Sequence, residues 1–298
     1  MQIFLFLSFV AFTQLSYAQM DIQLPSFSSF SYNEESNRLV NSINEFGFKL
    51  LSKMMKKYPD KNIVISPASI SCLLAMTLLG SVGRSYDELA GALGFSEDIL
   101  LNRQNHELFG ELLRHVNSDD TWSKTIFADA VFMDSRSQLR EAYRAYLARV
   151  YGGEVLTVNF TDSMNVKETI NDWVSTQTKG QIDNFLKESL PVSTKVVLLS
   201  ALYFSGQWAR PFLPEHTRKM SFMRGKDKIT ADLMLNLGQF NYIHSAKDEY
   251  GTEAVAATSA ILARSSEQFY ADSPFFMFIR NEKTKLITFS ALVFDPTV

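Results

Sequence analysis

The sequence has a single cysteine, Cys72, in 298 residues. No intramolecular disulfide can form, so stability must come from packing rather than covalent bracing. Cys72 sits in the apolar helical run SISCLLAMTLLG, a setting that predicts a buried, inert thiol rather than a nucleophile. An excess of one charge is also missing. Twenty-nine basic residues against 32 acidic leave a formal net charge of -3, which points to neither nucleic acid nor an anionic membrane surface. No segment beyond the N-terminal stretch has 18 uninterrupted apolar residues, so no membrane span is expected. GxGxxG, GxxxxGK[ST], GxSxG and HExxH are all lacking, and His106, His115, His216 and His244 have no metal-ligand spacing. The expectation is a chain that is not an enzyme and needs no metal or cofactor. Arg103, His106, Arg114 and His115 lie near one another in a helical region, but four scattered groups read as a solvated face rather than a heparin site.

What is present suffices for a sizeable core: 46% of residues are hydrophobic and 20% charged, the balance of one large globular domain or two small ones. The first eighteen residues, MQIFLFLSFVAFTQLSYA, hold an apolar region from Ile3 to Phe12 and end in Ser16-Tyr17-Ala18. That pattern predicts a secretory signal peptide cleaved after Ala18, although the segment lacks Lys or Arg. A secreted mature chain, residues 19–298, is expected, with Asn159-Phe160-Thr161 as an N-glycosylation sequon.

Periodicity predicts a mixed α+β chain without repeats. Glu34 to Lys56 carries Leu39, Ile43, Phe46, Phe48, Leu50 and Leu51 at helical spacing. NIVISP reads as a short strand stopped by Pro67, and Ala68 to Leu79 as a helix apolar on most faces. Ser85 and Glu88 occupy capping-box positions for a helix to Leu93. Lys124 to Asp134 and GEVLTVNF are strands, and Leu139–Val150 and Val166–Lys179 helices. Thr194 to Trp208 is too apolar for an edge strand and belongs in the middle of a large sheet. PFFMFI and LITFSALVF, joined by RNEKT, form a closing hairpin.

The stretch EYGTEAVAATSAILARSSEQF, Glu249 to Phe269, is too lean for a core and by itself reads as a surface linker. Its flanks change that reading. NIVISPASISCLLAMTLLGSVGRSYDELAGALGF, ETINDWVSTQTKGQIDNFL, TKVVLLSALYFSGQWARPF, GTEAVAAT and FYADSPFFMFIRNEKTKLITFSALVFDP follow one another in an order that resembles the serpins. The resemblance implies a single domain with a large central sheet and smaller sheets surrounded by helices. It also implies a reactive-centre loop over about 249–268, which a secreted serine protease attacks as a suicide substrate in a covalent complex. A monomer is expected.

The loop hinge would be Gly251, Thr252, Glu253, Ala254, Val255, Ala256, Ala257 and Thr258. Alternate residues of a strand face one side, and Thr252, Ala254, Ala256, Thr258 and Ala260 are all small enough to enter a packed sheet without overfilling it. Arg264-Ser265 is the favoured scissile bond, because a lone cation suits a trypsin-like protease; counting back from Phe269 favours Ile261 or Leu262 instead.

Two departures from the family pattern stand out. Only HSAKD separates Ile243 from Glu249, so a section of roughly 100 residues is missing there, including the strands that precede the loop. A sheet-opening cluster is implied at Ser66, Ser69 and Ser200, where Ser200 replaces the family's usual Asn and the partner histidine falls in the missing section. Two functions stay open: inhibition of a trypsin-like protease, or a non-inhibitory shortened form that acts as substrate or binding protein.

Overall fold

A computed structural model describes residues 3–7, 34–96, 98–119, 123–209, 211–236, 244–248, 251–255 and 271–297. Its elements run β1 (Ile3–Leu7), α1 (Glu34–Lys57), β2 (Ile63–Ile65), α2 (Pro67–Leu79), α3 (Arg84–Leu93), α4 (Ile99–Val116), β3 (Ser118–Asp119), β4 (Ser123–Asp134), α5 (Glu141–Tyr151), β5 (Glu154–Val158), α6 (Ser163–Gln177) and β6 (Val196–Gly206). Then follow β7 (Arg218–Arg224), β8 (Asp227–Leu233), β9 (His244–Asp248), β10 (Gly251–Val255), β11 (Phe275–Arg280) and β12 (Ile287–Val293). The chain divides into two compact units, Met1–Gly206 with Phe276–Val293, and Gln207–Phe275 with Phe294–Val298.

The first unit is built on a five-stranded sheet ordered β1-β6-β4-β3, with β5 also paired to β4. Helices cover both of its faces, which explains why β6 is apolar on every side. Val196 and Leu198 face one cluster with Phe127 and Val131, filled from α1 to α5 by Ile43, Leu73, Met76, Phe109 and Leu147. Val197, Leu199 and Ala201 face the other, with Ala130, Phe132 and the α6 residues Val166, Ile170 and Trp173. The central strand predicted from composition is thus buried from Val197 to Tyr203.

Local chemistry sets the helix ends. Ser66 caps α2, its Oγ accepting from Ser69 N–H at 3.1 Å, and Pro67 occupies the first turn where its missing donor costs nothing. The buried stripe of α1 is Leu39, Val40, Ile43, Gly47 and Leu51. Phe48, predicted inward, is exposed, because the 43-47-51 line sets the buried face and a Cβ at Gly47 would come within 2.6 Å of Pro67. The capping box at Ser85 and Glu88 does not form. Helix α3 starts one residue earlier, at Arg84 after Gly83, and Glu88 is drawn to the Arg84 guanidinium at 2.8 Å.

A second sheet, β11-β12-β2, closes the first unit. Its turn is clasped by α1: Asn44 Nδ2 donates to Lys285 O at 3.0 Å, and Ile287 N–H donates to Asn44 Oδ1 at 2.9 Å. In the second unit β7 and β8 form an antiparallel hairpin around fully buried Phe222. Arg224 Nη1 meets Asp295 Oδ2 at 2.6 Å, and bonds from Thr297 and Arg224 hold the Asp295 carboxyl down at about 2. HSAKD, expected as a bare connector, is itself the strand β9, paired antiparallel with β10 from Asp248↔Gly251 to His244↔Val255.

Candidate functional site

The predicted loop hinge begins as a strand. Gly251, Thr252, Glu253, Ala254 and Val255 make up β10, extended along β9. The remaining hinge residues Ala256, Ala257 and Thr258, the candidate scissile residues Arg264 and Ser265, and the alternatives Ile261 and Leu262 lie outside the described residues.

Ser66, Ser69 and Ser200, the predicted sheet-opening cluster, sit where α2 crosses the central sheet. Ser66 Oγ donates to Ser69 Oγ at 2.9 Å, so these two satisfy each other at the helix N-terminus. Ser200 is buried on β6, and its Oγ has no hydrogen-bond partner. No bond joins it to Ser66 or Ser69. Directly across the ladder from Ser200 is Asp129 of β4. Its Oδ2 accepts the Cys72 thiol of α2 at 3.3 Å, while its Oδ1 is orphaned. Ser71 Oγ of α2 and Ser290 Oγ of β12 are orphaned as well. Each such atom costs about 1 to 3 kcal/mol, so the contact of helix and sheet carries stored polar strain.

Asp129 escaped the sequence reading, although a carboxylate flanked by Ala128 and Ala130 in an apolar strand was visible there. Burial pushes its pKa up to about 7; the Ser200 hydroxyl, near but outside bonding geometry, and the Cys72 thiol pull the other way. Cys72 is buried as expected, and burial followed by the Asp129 charge raises its pKa well above the ordinary thiol value. It is no nucleophile at neutral pH.

The basic cluster on α4 resolves unevenly. Arg103 pairs with Glu107 at 3.3 Å, Arg114 donates to Val150 O at 2.8 Å, and His115 is exposed. His106, predicted on a solvated face, is instead 4% exposed, with Nδ1 at 2.5 Å from Tyr151 Oη and its ring edge-on to Phe95. The reason is position: it lies one turn before Phe109, inside the apolar seam between α4 and α5. Desolvation lowers its pKa to about 4.

Asn159 is exposed just after β5. Its amide oxygen accepts from Thr161 N–H at 3.2 Å and Thr161 Oγ1 at 2.6 Å, bonds that leave the amide nitrogen unused. Among the described residues no group of three His, Cys, Asp or Glu side chains could hold a metal ion, and no helix is long and apolar enough to cross a membrane.

A family model described as "Serpin (serine protease inhibitor)" matches residues 41–250 and 246–296. The chain belongs to the serpin family. Its two matched segments meet at 246–250, where the missing section was placed from sequence. Similar proteins include Serpin A3-8 of Bos taurus, 31% identical over 68% of this chain and 49% of that protein. Alpha-1-antichymotrypsin of Homo sapiens is 31% identical over 65% and 45%, and corticosteroid-binding globulin of Saimiri sciureus 29% over 74% and 55%. The chain thus spans about half the length of the curated relatives it matches. Human glycosylated kallistatin superposes with a TM-score of 0.71 at 18% identity, covering 89% of this serpin and 99% of that chain. Thyroxine-binding globulin in complex with thyroxine gives 0.68 at 19%, over 86% and 98%. These likenesses establish the serpin fold, and the names include an antichymotrypsin and globulins named for binding corticosteroid and thyroxine.

Proposed function

We propose that this serpin is a secreted suicide substrate of a trypsin-like serine protease, with residues 19–298 as the mature single domain. The protease serine Oγ attacks the Arg264 carbonyl, the peptide bond breaks, Ser265 leaves as a free amine, and an ester holds the protease. The freed strand then enters the central sheet. The observation that carries this reading is β10: the hinge already has strand geometry over Gly251–Val255, and the residues at every second position, Thr252 and Ala254, are small. Insertion first requires β10 to leave β9. Ser66, Ser69 and Ser200 lie on α2 and β6, at the contact that must loosen for the sheet to part. Asn159 is the proposed glycan site, and the chain acts as a monomer without cofactor or metal.

A second reading, a non-inhibitory substrate or binding protein, is favoured by the reduced sheet, in which β6 is paired only with β4 and β1 among the described residues. Incubation of the purified chain with trypsin separates the two. A covalent complex stable in SDS, at the summed mass, supports trapping. Complete cleavage after Arg264 with all protease activity retained sinks it.

A further inference from the structure

A cavity of about 420 Å³ opens where α1, α4 and α5 meet. Its lining carries three carboxylates, Glu35, Glu107 and Glu111, against two guanidiniums, Arg114 and Arg149, so one negative charge is in excess. Glu111 is half-buried, and among the described residues its carboxylate has no hydrogen-bond or ion-pair partner. The cations that could reach it are held elsewhere. Arg114 is drawn across to α5, where Nη1 donates to Val150 O at 2.8 Å, and Arg149 Nη2 donates to Glu107 Oε1 at 2.8 Å. His115, one turn on, bonds the Glu111 backbone oxygen rather than the side chain. We propose that this cavity is a binding site for a free basic α-amino acid such as L-lysine.

Glu111 and Arg114 stand three positions apart on α4, which puts their side chains on one face with Cβ atoms about 5 to 6 Å apart. An anion and a cation held that close without touching match the two ends of a zwitterion. The ligand's α-ammonium donates to Glu111, and its carboxylate accepts from the guanidinium hydrogens of Arg114 that Val150 does not use. One turn back along α4, about 6 Å from Glu111, Glu107 receives Arg103 and Arg149 on Oε1, which leaves Oε2 as an acceptor. The four-carbon stem of lysine covers that distance, and Leu108 and Val150 form an apolar wall for its methylenes. From α1, Glu35 receives Gln104 Nε2 on Oε2 at 2.7 Å, so its Oε1 is a second acceptor for the side-chain ammonium. The single net positive charge of lysine cancels the excess of the lining.

Ligand-observed NMR titration of the purified chain with L-lysine, at constant ionic strength, tests the site without reference to inhibition. Binding should saturate with a Kd below about 1 mM. Three analogues should each bind about tenfold more weakly: cadaverine, which lacks the carboxylate, 6-aminohexanoate, which lacks the α-ammonium, and norleucine, which lacks the side-chain cation. No saturation by about 10 mM lysine, or an analogue that binds as tightly as lysine, overturns the proposal. Glu111→Gln removes no bond of the folded chain, so it should fold as the parent does. It should weaken lysine about tenfold and leave 6-aminohexanoate unchanged. Equal loss for both ligands, or loss for neither, refutes the pairing of the α-ammonium with Glu111 and with it the site.

Discussion

Replacing Asp129 by Asn should stabilise this protein at neutral pH while leaving it nearly unchanged in mild acid. In the folded chain the Asp129 carboxyl titrates near 7, against an ordinary value of 3.8. A raised carboxylate works against the fold: the unfolded chain gives up its proton first, so stability is full below pH 3.8 and falls as pH rises through 7. Three pKa units at 1.36 kcal/mol each make that loss about 4 kcal/mol. No ion pair offsets it, since the one hydrogen bond to the carboxylate comes from Cys72. Asparagine removes the charge, and its amide can donate toward the orphaned Ser200 Oγ.

His106 titrates in the opposite sense. Its folded value of about 4 lies below the ordinary 6.5, so it costs stability as pH falls from 6.5 to 4, by about 3 kcal/mol. The two slopes cancel between pH 4.5 and 6.5, and the parent chain should show a nearly flat stability there. Asp129→Asn exposes the histidine slope, with stability rising with pH; His106→Phe exposes the carboxylate slope, falling with pH. At pH 7.5 the Asn variant should melt about 7 °C above the parent, for 4 kcal/mol spread over a chain of this length, and only about 2 °C above it at pH 4.5. Circular dichroism melts at half-unit steps of pH provide the measurement. An Asn variant parallel to the parent across the whole range would refute the buried-charge account.

Gly110→Ala should lose about 1 to 3 kcal/mol in urea unfolding, because a Cβ there overlaps the Val150 carbonyl where α4 meets α5; a neutral result would show that the helices can separate freely. Cys72 should resist thiol reagents in buffer and react fully in denaturant, and prompt labelling of the native chain would contradict its burial. Arg264→Ala should abolish trypsin cleavage in the loop, while unchanged cutting by an elastase-type protease at Ile261 or Leu262 would move the reactive bond there. Expression of Asn159→Gln through a secretory route should remove one glycan, seen as a band insensitive to N-glycosidase.

The elements were legible because they rest on local signals, such as the Pro67 helix start, the two-sided apolar strand Val196–Gly206 and the Asn281-to-Leu286 turn, while the family was legible only as the resemblance of five ordered blocks. Misreadings came from contacts distant in sequence. The side on which Phe48 falls depends on Gly47 meeting Pro67, and the burial of His106 on Tyr151. Asp129 matters only because β4 aligns it with Ser200 and α2 lowers Cys72 onto it, a juxtaposition of three segments that no periodicity encodes. The strand character of HSAKD likewise arises from its partner β10 rather than from its own residues.

The clasp of Asn44 on the turn at Lys285 has a consequence for how the protein is made. The bonds span 241 and 243 residues, and β12 also supplies the partner of β2, which lies at the start of the chain. A ribosome that has delivered α1 to α6 has delivered an unfinished unit whose first helix still waits for the last strand. The first unit therefore cannot close before β12 has been made, and until then the apolar faces of α1 and β2 lack that partner. A stop codon at Asn281 would remove β12, and with it both the Asn44 clasp and the strand partner of β2, while the cluster between β4, β6 and α6 would lose none of its members.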